Sequence, residues 1–117
     1  MHKASIFLVA AALLSAGIST LGALPVKKVP AAKLTVLLFL STDCPVAMRY
    51  SPRINALVKA YGDQGVEFRS YFPNDLETKS SIKNYSQDRQ YKFPAELDLA
   101  GQKAKSLGVK VIPAAVV

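Results

Sequence analysis

Leu34-Thr-Val-Leu-Leu-Phe-Leu-Ser-Thr-Asp-Cys-Pro-Val-Ala47 decides how this chain folds. Its first half, Leu34 to Leu40, is a continuous apolar and partly β-branched run bounded by polar residues. That is the pattern of a central parallel strand buried on both faces. Ser41 to Cys44 forms the turn after it. Pro45 suits the first position of a helix, where its missing N–H removes no hydrogen bond and its fixed φ is already helical. Ile54, Leu57, Val58 and Tyr61, spaced three and four apart, carry that helix to Ala60 or Tyr61 with one buried face. Pro52 lies inside it, where it deletes one backbone hydrogen bond and predicts a kink.

Working outward, Gly62 and Gly65 close the helix, and Val66-Glu-Phe-Arg-Ser-Tyr-Phe72 alternates as a second strand that Pro73 ends. Asn74 and Asp75 are candidate caps for a polar helix from Glu77 to Asp88, with Ile82 and Tyr85 as its narrow apolar stripe. Lys92-Phe-Pro-Ala-Glu-Leu97 is a short strand. Asp98 is the expected cap of a helix from Ala100 to Leu107, which Gly108 stops, and Val109 to Val117 is again strand-like. The order β-α-β-α-β-α-β indicates an α/β domain with a mostly parallel sheet and flanking helices.

Before Leu34 the composition changes. Lys3 precedes an apolar core, Ile6 to Leu14, and small residues from Ser15 to Ala23 follow. This is the pattern of a secretory signal peptide over 1–23, with cleavage before or after small residues near Ser19 or Gly22. The uncharged stretch Ala4–Val26 also exceeds the roughly 20 residues of a spanning helix, so an uncleaved anchor is the competing reading. Both place the rest of the chain outside the cytoplasm, periplasmic or extracellular. Residues 24–33, with Pro25, Pro30 and three lysines, read as a linker, leaving 34–117 as the domain.

The formal net charge is +7, and losing the leader removes only Lys3 from it. The cations of the domain are scattered singly, with no stripe of basic and aromatic residues of the kind that binds nucleic acid. The lone histidine, His2, falls in the leader, so the mature chain has no zinc site, Cys-His pair or Ser-His pair. No cofactor is expected. The lone cysteine, Cys44, excludes an internal disulfide.

At a strand-to-helix junction, Cys44 meets free N–H groups and the positive end of the helix dipole, which favour the nucleophilic thiolate. Asp43, a negative neighbour, opposes it. A buried, inert thiol is the bland alternative. Arg49 and Arg53, five and nine residues on, lie about 140° and 180° around the helix from Cys44 and read as solvated. Met48, Tyr71, Phe72 and Phe93 read as packing. Pro113 is either a cis-proline or an ordinary strand start.

Cys44-Pro-Val-Ala-Met-Arg-Tyr-Ser-Pro52 resembles the active-site helix of thioredoxin-fold proteins, in which a nucleophilic cysteine opens the helix and a kinking proline follows eight residues later. Phe93-Pro-Ala-Glu-Leu-Asp98, Gly101, Ala104 and Leu107-Gly-Val-Lys-Val-Ile-Pro113 resemble the redoxin branch, which includes the alkyl hydroperoxide reductase/thiol-specific antioxidant family. The resemblance implies that Pro113 is the cis-proline facing Cys44, with the backbone of Ile112 as a ledge for substrate. It also implies that Ser41, three residues before Cys44-Pro45, orients the thiol, as in peroxiredoxins.

The departures shape the expected function. Ala47 stands where thioredoxins carry a second cysteine, Asp43 where they carry tryptophan, and Leu37 where peroxiredoxins carry an upstream proline. The usual last strand and helix of the fold are expected to be missing after Val117, leaving one sheet face bare. The reading is therefore an exported single-cysteine redox protein. It would reduce peroxide or exchange with a partner's disulfide, and an external thiol would restore it. The alternatives are a non-catalytic binding module or an inactive, truncated fragment.

Overall fold

The computed structural model describes Gly22 and residues 34–117. The leader expected at 1–23, apart from Gly22, and the linker at 24–33 lie outside the described residues. Strand β1, Leu34–Phe39, leads through the turn at Ser41–Cys44 into helix α1, Pro45–Tyr61. A 3-10 turn, Gly62–Gln64, connects α1 to β2, Val66–Phe72; Gly65 takes φ 87° there, a conformation suited to glycine. Then come α2, Lys79–Asp88, β3, Ala95–Leu97, α3, Gln102–Ser106, and β4, Ala114–Val116.

The sheet order is β3-β2-β1-β4. β1, β2 and β3 are parallel, with Leu34 opposite Val66 and Tyr71 opposite Glu96, while β4 is antiparallel to β1, with Leu38 opposite Ala115. The expected α/β domain, a mostly parallel sheet with flanking helices, is what forms. Strand alternation divides the apolar residues between two faces. Leu38 and Leu40 join Ala47 and Ile54 of α1, Ile82 and Tyr85 of α2, Phe72 and Tyr91 in one core cluster. Phe39, wholly buried, stacks on Tyr71, over whose ring Lys103 of α3 reaches.

α1 runs unbroken through Pro52, whose missing N–H leaves the Met48 carbonyl without its usual intrahelical donor. On α1, Ser51 is buried with Ala47 and Ile54, whereas Leu57 and Tyr61 are about half exposed. The buried face is thus shifted from the expected Ile54-Leu57-Val58-Tyr61 stripe. Leu57 instead borders an open groove with Leu38, Leu40, Val46, Tyr50 and Pro113, about 440 Å³ in volume.

Three boundaries differ from expectation. α2 begins at Lys79, because Thr78 and Ser81 form a reciprocal capping box. Asn74 instead organises the preceding turn, accepting from Leu76 N–H through Oδ1 and from Glu77 N–H through its carbonyl. β3 starts only after Pro94, which has no N–H to give the ladder, although its carbonyl accepts from Ser70 N–H. β4 likewise starts after Pro113.

Asp98 does cap α3, but from beyond a 3-10 turn, Leu99–Gly101. Its carboxylate accepts from Lys103 N–H at 2.8 Å and Ala104 N–H at 2.9 Å. Gly108, at φ 69°, closes α3 in a Schellman motif, with Gly108 N–H on the Lys105 carbonyl and Val109 N–H on that of Ala104.

Candidate active site

The three parallel strands point their C-terminal ends the same way, and β4 begins at that same edge of the sheet. Cys44 follows β1 there. Its backbone is extended, φ −85° and ψ 111°, and it is the N-cap of α1 with Pro45 next in line. Cys44 N–H donates to the Ser41 carbonyl at 3.4 Å, closing the turn, and the Cys44 carbonyl accepts from Met48 N–H at 3.1 Å, opening the helix. No side chain caps the first turn, so its N–H groups are left to the thiol or to solvent. Cys44 is half-buried and packs against the core cluster.

The Ile112–Pro113 peptide bond is cis. Extending the β1–β4 register by one pair sets Pro113 opposite Leu40, just before the Ser41–Cys44 turn. Pro113 also shares the open groove with Val46, two residues beyond Cys44. The turn bearing the thiol and the Ile112–Pro113 step therefore lie at one end of the same strand pair.

Ser41 is placed differently from its expected role. Its hydroxyl hydrogen-bonds the Asp43 carboxylate and lies 3.3 Å from Glu77 Oε1, so its tie to Cys44 runs through the backbone. Glu77 is the residue that sequence reasoning missed. It is only 7% exposed, and its carboxylate accepts from Thr42 N–H at 2.7 Å, Thr42 Oγ1 at 2.9 Å and Ser81 Oγ at 2.9 Å. The one local signal was the Thr78-x-x-Ser81 pattern, which moves the helix start past Glu77 and frees it to face β1's turn.

Arg49 and Arg53 are exposed, with Arg53 over the ring of Tyr50. Met48 packs on the core, and Phe72 and Phe93 join aromatic pairs with Tyr85, Tyr91 and Phe68. Among the described residues, no group of three His, Cys, Asp or Glu side chains could hold a metal ion, and no helix is long and apolar enough to cross a membrane.

A parallel strand–helix–strand core, a helix opened by a cysteine, and a cis X-Pro bond before the antiparallel strand together define a thioredoxin-like fold. The model of the AhpC/TSA family matches residues 20–117, and the chain belongs to that family. No curated protein matches it.

Among solved structures, it is similar to a secreted Mycobacterium tuberculosis disulfide oxidoreductase homologous to E. coli DsbE, at 20% identity and TM-score 0.62, over 70% of this chain and 58% of that one. StoA from Bacillus subtilis aligns at 21% identity and TM-score 0.59, over 69% and 61%. The thioredoxin domain of a Bacteroides vulgatus thiol-disulfide oxidoreductase aligns at 13% and 0.61, over 70% and 59%. At such identities the likeness is one of fold, and this chain spans about three-fifths of each of these structures.

Proposed function

We propose that residues 34–117 are a thiol redox domain in which Cys44 exchanges with the disulfide of a partner protein. The observation that carries this reading is the half-buried Cys44 at the uncapped start of α1, at the sheet edge where Ile112–Pro113 also lies. The Cys44 thiolate attacks one sulfur of the partner's disulfide, that S–S bond breaks, and the other partner sulfur leaves as a thiolate. Because Ala47 supplies no second thiol, an external dithiol attacks the mixed disulfide, releases the partner and Cys44 as thiols, and is itself oxidised.

The backbone of Ile112 serves as the ledge on which an extended substrate segment pairs. Pro45 starts the helix without adding a competing N–H, and Pro52 lies within its middle turns. The N-terminal pattern of residues 1–23 supports export, with membrane association where the leader is retained.

Peroxide reduction is the second reading, favoured by Ser41 lying three residues before Cys44-Pro45 and by family membership. In that reaction the thiolate attacks one oxygen of hydrogen peroxide, the O–O bond breaks, the other oxygen leaves as hydroxide and is protonated to water, and Cys44 becomes a sulfenic acid that an external dithiol reduces back to the thiol with release of a second water. Disulfide exchange is the better supported, because the Ser41 hydroxyl is engaged by carboxylates rather than by the thiol.

The test is the rate of iodoacetamide alkylation at neutral pH, followed by turnover of a model protein disulfide and of hydrogen peroxide with an added dithiol, in wild type and Cys44→Ser. Alkylation of wild type and Cys44-dependent disulfide turnover, both lost in Cys44→Ser, are expected. Slow alkylation without turnover would leave a non-catalytic binding module.

A further inference from the structure

The geometry points to Glu77 as the residue that positions Cys44, acting across the fold from the β2–α2 loop. Glu77 precedes α2 and stands 33 positions after the cysteine, yet its two carboxylate oxygens are bound to the turn that presents the thiol. Oε1 accepts from Thr42 N–H at 2.7 Å and faces Ser41 Oγ at 3.3 Å; Oε2 accepts from Thr42 Oγ1 and Ser81 Oγ, both at 2.9 Å. A carboxylate that is 7% exposed is costly to bury unless every lone pair is met, and here donors meet both oxygens. Among the described residues Glu77 forms no ion pair, so these donors alone hold it.

The Glu77 end of this link is itself fixed. Its N–H donates to the Asn74 carbonyl at 3.0 Å, and Ser81, which donates to Oε2, is locked into the capping box of α2. The Thr42 end is two residues from Cys44, inside a turn whose closing bond is Cys44 N–H to Ser41 carbonyl. Among the described residues, Thr42 and Ser41 have no other side-chain anchor to a distant part of the chain. The start of α2 thus sets where β1's turn releases the chain into α1, and so how the thiol meets the N–H groups of the first turn.

This inference rests on the reading of Cys44 as a reactive thiol. Glu77 is a positioning residue, since it need not touch the reacting sulfur.

The test compares Glu77→Ala with Glu77→Gln on the full chain, each checked for cooperative thermal unfolding. Both substitutions remove the negative charge, but glutamine keeps an acceptor for Thr42 N–H. Any difference between them therefore reports geometry rather than charge. Cys44 alkylation by iodoacetamide at neutral pH is expected to be about fivefold slower in Glu77→Ala than in Glu77→Gln, the scale of losing helix-terminus stabilisation of a thiolate.

Equal alkylation rates in the two variants, both folded, would overturn the proposal. Should Glu77→Ala not fold, Thr42→Val decides: alkylation at least twofold slower than wild type upholds the positioning role, and an unchanged rate removes it. Absence of disulfide turnover by wild type would defeat the exchange reading separately, because alkylation does not depend on turnover.

Discussion

Ser51 on α1 and Tyr91, forty residues further along, share a hydrogen bond of 2.9 Å between two buried hydroxyls. It joins the helix that follows the cysteine to the segment that leads into β3. Tyr91→Phe leaves the Ser51 hydroxyl buried without that partner, and a loss of about 1–2 kcal/mol is expected in urea unfolding. Ser51→Ala costs a similar amount. The double variant costs less than the two single losses added together, because the orphaned partner is then gone as well.

Tyr85 lies between Phe72 and Tyr91 in the same aromatic cluster, and its hydroxyl is buried with no hydrogen-bond partner. Burial pushes its phenol up from 10.0 to about 12. A folded-state value above the unfolded one favours the folded protein fully below about pH 10, and that contribution is lost as pH rises towards 12. Thermal midpoints should therefore fall across this range in wild type, and fall less in Tyr85→Phe.

Asp98 holds both N–H groups at the start of α3, a helix of only five residues. So short a helix has little stability of its own. Asp98→Ala should cost about 1–2 kcal/mol, and hydrogen exchange should show faster exchange at Lys103 and Ala104 before the rest of the domain.

Phe72 is wholly buried at the end of β2, edge-on to Tyr85. Phe72→Ala should cost about 3–5 kcal/mol, enough to abolish the cooperative thermal transition of a domain this small.

The junction of β1, Cys44 and α1 could be read in the sequence because its signals are local. An unbroken apolar run, a turn and a proline at the first helical position each act within a few residues of the thiol. Asp98 and Gly108 were legible for the same reason.

Glu77 was not legible, since its partners Thr42 and Ser41 are brought to it only when β1 and β2 pair. Apolar periodicity says nothing about which loop a carboxylate will face. The strand limits were misread where Pro94 and Pro113 interrupt otherwise strand-like runs: removing one N–H shortens the ladder without changing the hydrophobic pattern. The buried face of α1 was misread at Leu57 because spacing identifies an apolar stripe but not whether a neighbour covers all of it.

β4 reverses direction against β1, so its first residues arrive at the edge where the parallel strands end. Loops from opposite ends of the domain's sequence converge there, while the Ser51–Tyr91 bond and the Phe72 cluster lie among the buried residues beneath them. Variation can consequently be concentrated in the exposed loop positions Asp43, Asp75, Leu76, Lys110 and Val111, with Cys44, the Thr42–Glu77 link and the aromatic interior left intact. A library randomised at those five exposed positions should change partner choice far more readily than it changes whether the chain folds.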